Sequence, residues 1–140
     1  MIGVDTNVLL RYLLQDDRAQ SQKAADLIQG NQKVLIPDAV LVETLWTLRG
    51  KKYGLDRDAL VGVVQALFQE PNVRFEHGQA VWLALNSYRN SEKVKGRTAD
   101  FADALIVAKA RVMIEALGEP FEGVYTFDQA AQALAGMKAP

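Results

Sequence analysis

Short apolar runs closed by polar turns alternate along the chain with longer stretches of helical spacing. Residues 1–4 are apolar and are stopped by Asp5-Thr6-Asn7, the pattern of a buried strand running into a turn. A helix opens over residues 8–14. A second covers 21–28, with Ala24, Ala25 and Ile28 on one face and Gly30 as its stop. Residues 34–36 repeat the strand pattern and close at Pro37-Asp38. Residues 39–48 then set Leu41, Leu45 and Leu48 three and four apart, with Trp46 alongside. Asp56 suits the N-cap of a helix carrying Leu60, Val63, Val64, Leu67 and Phe68. Pro71-Asn72 ends that helix ahead of a short strand at 73–75. Residues 79–88 are helical, and 90–97 form a polar, basic loop. Thr98 suits the N-cap of the clearest helix, 99–117, stopped by Gly118 and Pro120. A last strand at 124–126 leads through Phe127-Asp128 into a small alanine-rich helix.

Strands alternating with helices over one short chain predict a parallel sheet covered on both faces. The expectation is an α/β fold: a three-layer α/β/α sandwich with a central parallel sheet of four to five short strands. At 140 residues the chain has the length of one domain, 1–140, with 49% hydrophobic and 24% charged residues. It has no internal repeat or linker. No apolar run approaches the roughly 20 residues of a membrane span, and Asp5 interrupts the first apolar stretch before a signal pattern develops. A cytoplasmic protein with no membrane partner is expected. The absence of cysteine removes thiol nucleophiles, thiolate zinc sites and disulfides. A net charge of −1 does not advertise nucleic-acid binding. Two local basic clusters do occur, Arg49-Gly50-Lys51-Lys52 and Lys93-Val94-Lys95-Gly96-Arg97, each of which also suits plain solvated loop charge.

The candidate chemistry is acidic. Asp5 follows the first strand and Asp128 the last, and Glu43 lies in the helix entered from the second strand. Asp100 and Asp103, three apart, share a face in the first turns of the helix from 99. In parallel sheets, functional groups gather beyond the carboxyl ends of the strands, so these acids are expected at one rim. Two to four carboxylates suit a hard cation such as Mg²⁺ or Mn²⁺. Without a cation, crowded carboxylates resist ionising together. Each acid alone has an ordinary use: Asp5 and Asp128 as caps or turn formers, Glu43 as a solvated helix acid, Asp100 as a favourable charge at a helix start.

With these residues in view, the chain resembles the PIN-domain family, in particular VapC-type ribonuclease toxins. The resemblance rests on Val4-Asp5-Thr6-Asn7-Val8-Leu9, on Val42-Glu43, on Asp103-Ala104-Leu105-Ile106-Val107-Ala108 with Ala110, and on Val124-Tyr125-Thr126-Phe127-Asp128. It implies that Asp5, Glu43, Asp103 and Asp128 are catalytic acids. Asp5 and Asp103 would hold Mg²⁺ or Mn²⁺, and Glu43 and Asp128 would do so directly or through water. Thr126 matches a hydroxyl before the last acid, and Thr6 and Asn7 match the polar pair after the first. Asp100, one turn before Asp103, competes for the third place; the small-apolar run after Asp103 favours the latter. The resemblance further implies an endoribonuclease toxin of a toxin–antitoxin pair, with an RNA substrate, a small antitoxin partner and a homodimer. Lys93, Lys95 and Arg97, just ahead of that helix, are candidates for RNA contact.

Other chemistries fit less well. A phosphatase with Asp5 as nucleophile resembles Asp-x-Asp-x-Thr, but Asn7 stands where the second Asp belongs. A PIN-like module that has lost catalysis has no need of the acids. His77 is the sole histidine and suits a structural place, no Gly-x-Ser-x-Gly elbow occurs, and there is no glycine-rich phosphate loop. Tyr12, Trp46, Trp82, Tyr88 and Phe101 are expected in the core.

Overall fold

The structure, a computed structural model, describes residues 1–140. The chain divides into two compact units, Met1–Glu76 and His77–Pro140.

In the first unit, three strands lie parallel in the order β1 (Ile2–Gly3), β2 (Val34–Ile36), β3 (Val73–Phe75). Ile2 pairs with Val34, and Val34 with Val73. The connections are helical: α1 (Thr6–Leu14) and α2 (Arg18–Ile28) join β1 to β2, while α3 (Asp38–Arg49) and α4 (Arg57–Gln69) join β2 to β3. Leu9, Ile28, Val34, Ile36, Leu41, Leu48 and Val64 are fully or almost fully buried. Each aliphatic side chain of this kind contributes about 1.5–3 kcal/mol of transfer free energy.

Aspartates start three of these helices. Asp5, Asp17 and Asp56 each accept a hydrogen bond from the backbone N–H three residues on, from Val8 at 3.0 Å, Gln20 at 2.9 Å and Ala59 at 2.9 Å. Each bond satisfies one of the orphan donors of a first helical turn. Ser21, buried, donates its hydroxyl to the Arg11 carbonyl at 2.9 Å and ties α2 to the end of α1. The Asn72 amide donates to the Gly30 carbonyl at 2.7 Å and fixes the turn after α2.

The second unit holds α5 (Gly78–Asn90), α6 (Phe101–Ala116) and a parallel pair of two-residue strands, β4 (Val124–Tyr125) and β5 (Met137–Lys138). Helix α5 packs along α6. Ala80, Ala84, Ala104 and Ala108 are all buried, and small residues of this kind let two helix backbones approach closely. Tyr88 and Phe101 meet edge to face with ring centroids 5.8 Å apart.

The α/β class and the parallel pairing match the sequence pattern. The five strands are distributed three and two, and β5 was not evident from sequence. Helix α6 begins at Phe101, later than expected. Its N-cap is Asp100 instead of Thr98, because Asp100 and Asp103 form a reciprocal capping box. The alanine-rich segment after Asp128 makes only a 3-10 turn at Ala131–Ala133, since Leu134 returns to extended backbone. Tyr88 and Phe101 are core residues as expected, but Trp46 and Trp82 are 55% and 47% exposed. No helix is long and apolar enough to cross a membrane.

Candidate functional site

Asp5 directly follows β1, and its capping bond decides how it is presented. Oδ1 accepts from the Val8 N–H, which fixes the side-chain rotamer and leaves Oδ2 open at an exposed position. Thr6 is half-buried and Asn7 exposed. Asp5, Asn7, Arg11, Gln20 and Lys23 border a cleft of about 310 Å³ beside α1 and α2. Arg11 is held there by a 2.5 Å contact to Asp16, which raises the guanidinium pKa and lowers that of the Asp16 carboxyl. Glu43 stands one turn into α3 at an exposed position, and its carbonyl accepts from the Thr47 hydroxyl at 2.9 Å.

In the second unit, Asp103 reaches back to the Asp100 N–H at 3.2 Å, so the two neighbouring acids are joined by the helix start itself. Asp128 repeats the arrangement of Asp5. Its Oδ1 accepts from the Ala130 and Ala131 N–H groups at 2.8 and 3.2 Å, while Oδ2 faces the Arg97 guanidinium at 3.8 Å. The Thr126 hydroxyl accepts from the Asp128 N–H at 3.1 Å and so helps set the turn that carries the acid.

The segment with Lys93, Lys95 and Arg97 is a tight hairpin rather than an open loop. Val94 and Arg97 exchange both backbone hydrogen bonds, at 2.8 and 3.0 Å, across Lys95 and Gly96, whose φ angles are +53° and +76°. Two consecutive positive φ values make a two-residue hairpin turn, and glycine at the second position lowers its cost. All three cations are exposed. The Arg97–Asp128 contact joins two residues that sequence alone gave no reason to pair.

The structure thus presents Asp5 and Glu43 in the first unit, and Asp100, Asp103 and Asp128 in the second. The donors are oxygens throughout, the class a hard divalent cation selects. An open oxygen beside a tethered one, as at Asp5, fits a cation in chemistry and access. No group of three or more acidic, histidine or cysteine side chains is gathered into a metal cage. His77 is accounted for otherwise: its Nδ1 accepts from the Ala80 N–H at 3.1 Å and caps α5.

No curated protein matches the sequence significantly. Among solved structures, the chain is similar to the crystal structure of Mycobacterium tuberculosis VapC20, described as a sarcin–ricin-loop-cleaving toxin. The identity is 20%, the coverage 95% of this chain and 94% of that one, and the TM-score 0.41. The family model of the PIN domain matches residues 2–135, almost the whole chain. A match of that extent, taken with acids placed after β1, in α3, at the start of α6 and after β4, shows that the chain belongs to the PIN-domain family.

Proposed function

We propose that this chain is a metal-dependent endoribonuclease, the toxin of a toxin–antitoxin pair, working in the cytoplasm as a single catalytic domain. The observation that carries the reading is the presentation of Asp5 and Asp128. Each has one carboxylate oxygen tied to the backbone at a helix or turn start; the other is open at Asp5 and faces Arg97 at Asp128. Asp17 and Asp56 cap helices in the same way, so the capping bond supplies the fixed rotamer. The place of Asp5 and Asp128, directly after β1 and shortly after β4 and within the span of the family match, supplies the functional reading. In this reading Asp5 and Asp103 hold Mg²⁺ or Mn²⁺, and Glu43 and Asp128 complete the set directly or through water. When bound, the cation lowers the pKa of a coordinated water and offsets charge on the phosphoryl oxygens.

The remaining steps belong to the chain. The capping bonds at Asp5 and Asp128 hold the carboxylates in fixed rotamers, so little reorganisation is needed as charge develops. Thr126 sets the turn of Asp128, and Asp100 braces Asp103 through the capping box. Lys93, Lys95 and Arg97, on the hairpin closed by the Val94–Arg97 bridge, supply cations for the phosphates beside the cut. With water as the nucleophile in this reading, the 3′-oxygen leaves and the phosphate stays on the 5′ side of the downstream product.

Cleavage of an end-labelled single-stranded RNA, with Mn²⁺ and with EDTA, tests this. Products carrying 5′-phosphates, formed only with the cation, support it. Cyclic phosphate products, or no cleavage at all, refute it.

A further inference from the structure

Beside the last candidate acid, the end of β4 and the bend after it present two aromatic side chains to solvent: Tyr125 is 62% exposed and Phe127 87% exposed. An almost bare phenylalanine is poorly suited to water and suits a partner with flat apolar faces.

Cations flank these rings. Lys138 of β5 is the register partner of Tyr125. Its stem lies across Gly123, where an added Cβ would come within 3.0 Å of the Lys138 Cε; Gly123 also has φ +121°, a conformation that suits glycine. The ammonium group makes no ion pair. Arg111 lies over the Phe121 ring, 4.3 Å from its centroid, with Glu115 at 3.9 Å from one of its nitrogens. Together with Glu122, the residues Arg111, Phe121, Tyr125 and Lys138 border a depression of about 510 Å³. Glu122 is the single acid on that border, against two cations.

We infer that this surface is a platform for a single-stranded segment of RNA next to the cleavage point, with bases stacked on Tyr125 and Phe127 and phosphates held by Lys138 and Arg111. The inference rests on the nuclease reading above. Aromatic faces interleaved with cations are the chemistry that binds single strands without reading sequence, because every base has a π face and every linkage a charge. Position supports the assignment: Asp128 follows Phe127 directly, so a strand held on the platform is led to that acid. Beyond it, Arg97 continues the run of positive charge.

The test uses the full chain with Asp5→Asn, which lies in the other unit, so that bound RNA is not cut. Anisotropy of a labelled ten-nucleotide RNA is measured across a salt series. Replacing Tyr125 and Phe127 with leucine keeps apolar bulk and removes the π faces; affinity should fall about ten-fold or more. Lys138→Ala should flatten the log–log salt slope by about 0.7, a change that altered packing does not produce. Binding of a duplex, whose bases are already stacked, should be little changed by the leucine substitutions. Unchanged single-strand affinity together with an unchanged slope overturns the platform. So does a leucine variant that shifts the oligomeric state while binding RNA normally, which makes the patch an interface between copies of the chain. Cleavage by the unsubstituted protein, run alongside, separates the two readings: its absence defeats the nuclease assignment, and its presence with unaltered variant binding defeats only the platform.

Discussion

Asp5 carries two duties that substitution can separate. Its Oδ1 caps α1 through the 3.0 Å bond from Val8, while its open Oδ2 and its charge serve the proposed cation. Asparagine keeps an oxygen able to accept the Val8 bond, and Asn and Asp are near-equal N-caps. It loses only the interaction of the charge with the helix dipole, worth about 0.3–1 kcal/mol. Alanine loses the capping bond as well, about 1 kcal/mol more. For a protein of this size, 1 kcal/mol corresponds to roughly 3–4 °C in Tm. Asp5→Asn should therefore melt about 1–4 °C below the parent, and Asp5→Ala about 3–4 °C lower again. Both should lose metal-dependent cleavage. Calorimetric melting without metal, paired with a cleavage assay, reads the two effects separately. Equal melting of the two variants would remove the capping argument, and wild-type cleavage by Asp5→Asn would falsify the assignment of this acid.

The remaining predictions address neighbouring groups. Asp103→Asn should abolish cleavage, whereas Asp100→Asn should retain more activity at saturating Mn²⁺; the opposite ranking, measured as initial rates, would transfer the metal-binding role to Asp100. Replacing Lys93, Lys95 and Arg97 with alanine should weaken RNA binding and lower the salt slope by up to about two units, and an unchanged slope would return the hairpin to plain surface charge. The Tyr12 hydroxyl donates to Glu70 and is partly buried; burial first and the Glu70 contact second push its pKa up to about 12. Because the folded value lies above the unfolded one, this contribution to stability is complete below about pH 10 and is lost as pH rises through 12. Denaturant melts across that window should show a loss that Tyr12→Phe lacks; identical pH profiles would refute it.

Strands β1 to β3 and helices α1 to α4 follow the apolar periodicity closely, because their burial patterns are local and strong. Asp56 was readable as an N-cap for that reason. Asp17, His77 and Asp100 were not, since capping depends on which of several polar residues turns out of helical backbone, and Thr98 competed on equal terms. The pairing of Met137 and Lys138 with β4 has no local signal: two residues carry no period, and the partner lies 13 positions away. The Lys95-Gly96 turn lacks the usual Asn-Gly or Asp-Gly signature, so a hairpin looked like a loop. Trp46 and Trp82 kept helical spacing yet fell on outer faces, which composition alone does not distinguish. The candidate acids were legible because each interrupts an apolar motif. The contact between Arg97 and Asp128 was not, because it spans 31 positions and depends on the tertiary fold.

In the proposed function, a divalent cation held by these carboxylates drives hydrolysis. The most direct measurement is the single-turnover cleavage rate of one RNA against Mn²⁺ concentration, for the unsubstituted chain and for Asp103→Asn side by side. A saturable rise is expected for the former, abolished by EDTA, and a flat background for the latter. Cleavage that persists at full rate in EDTA, or the same saturation curve for both proteins, would contradict it.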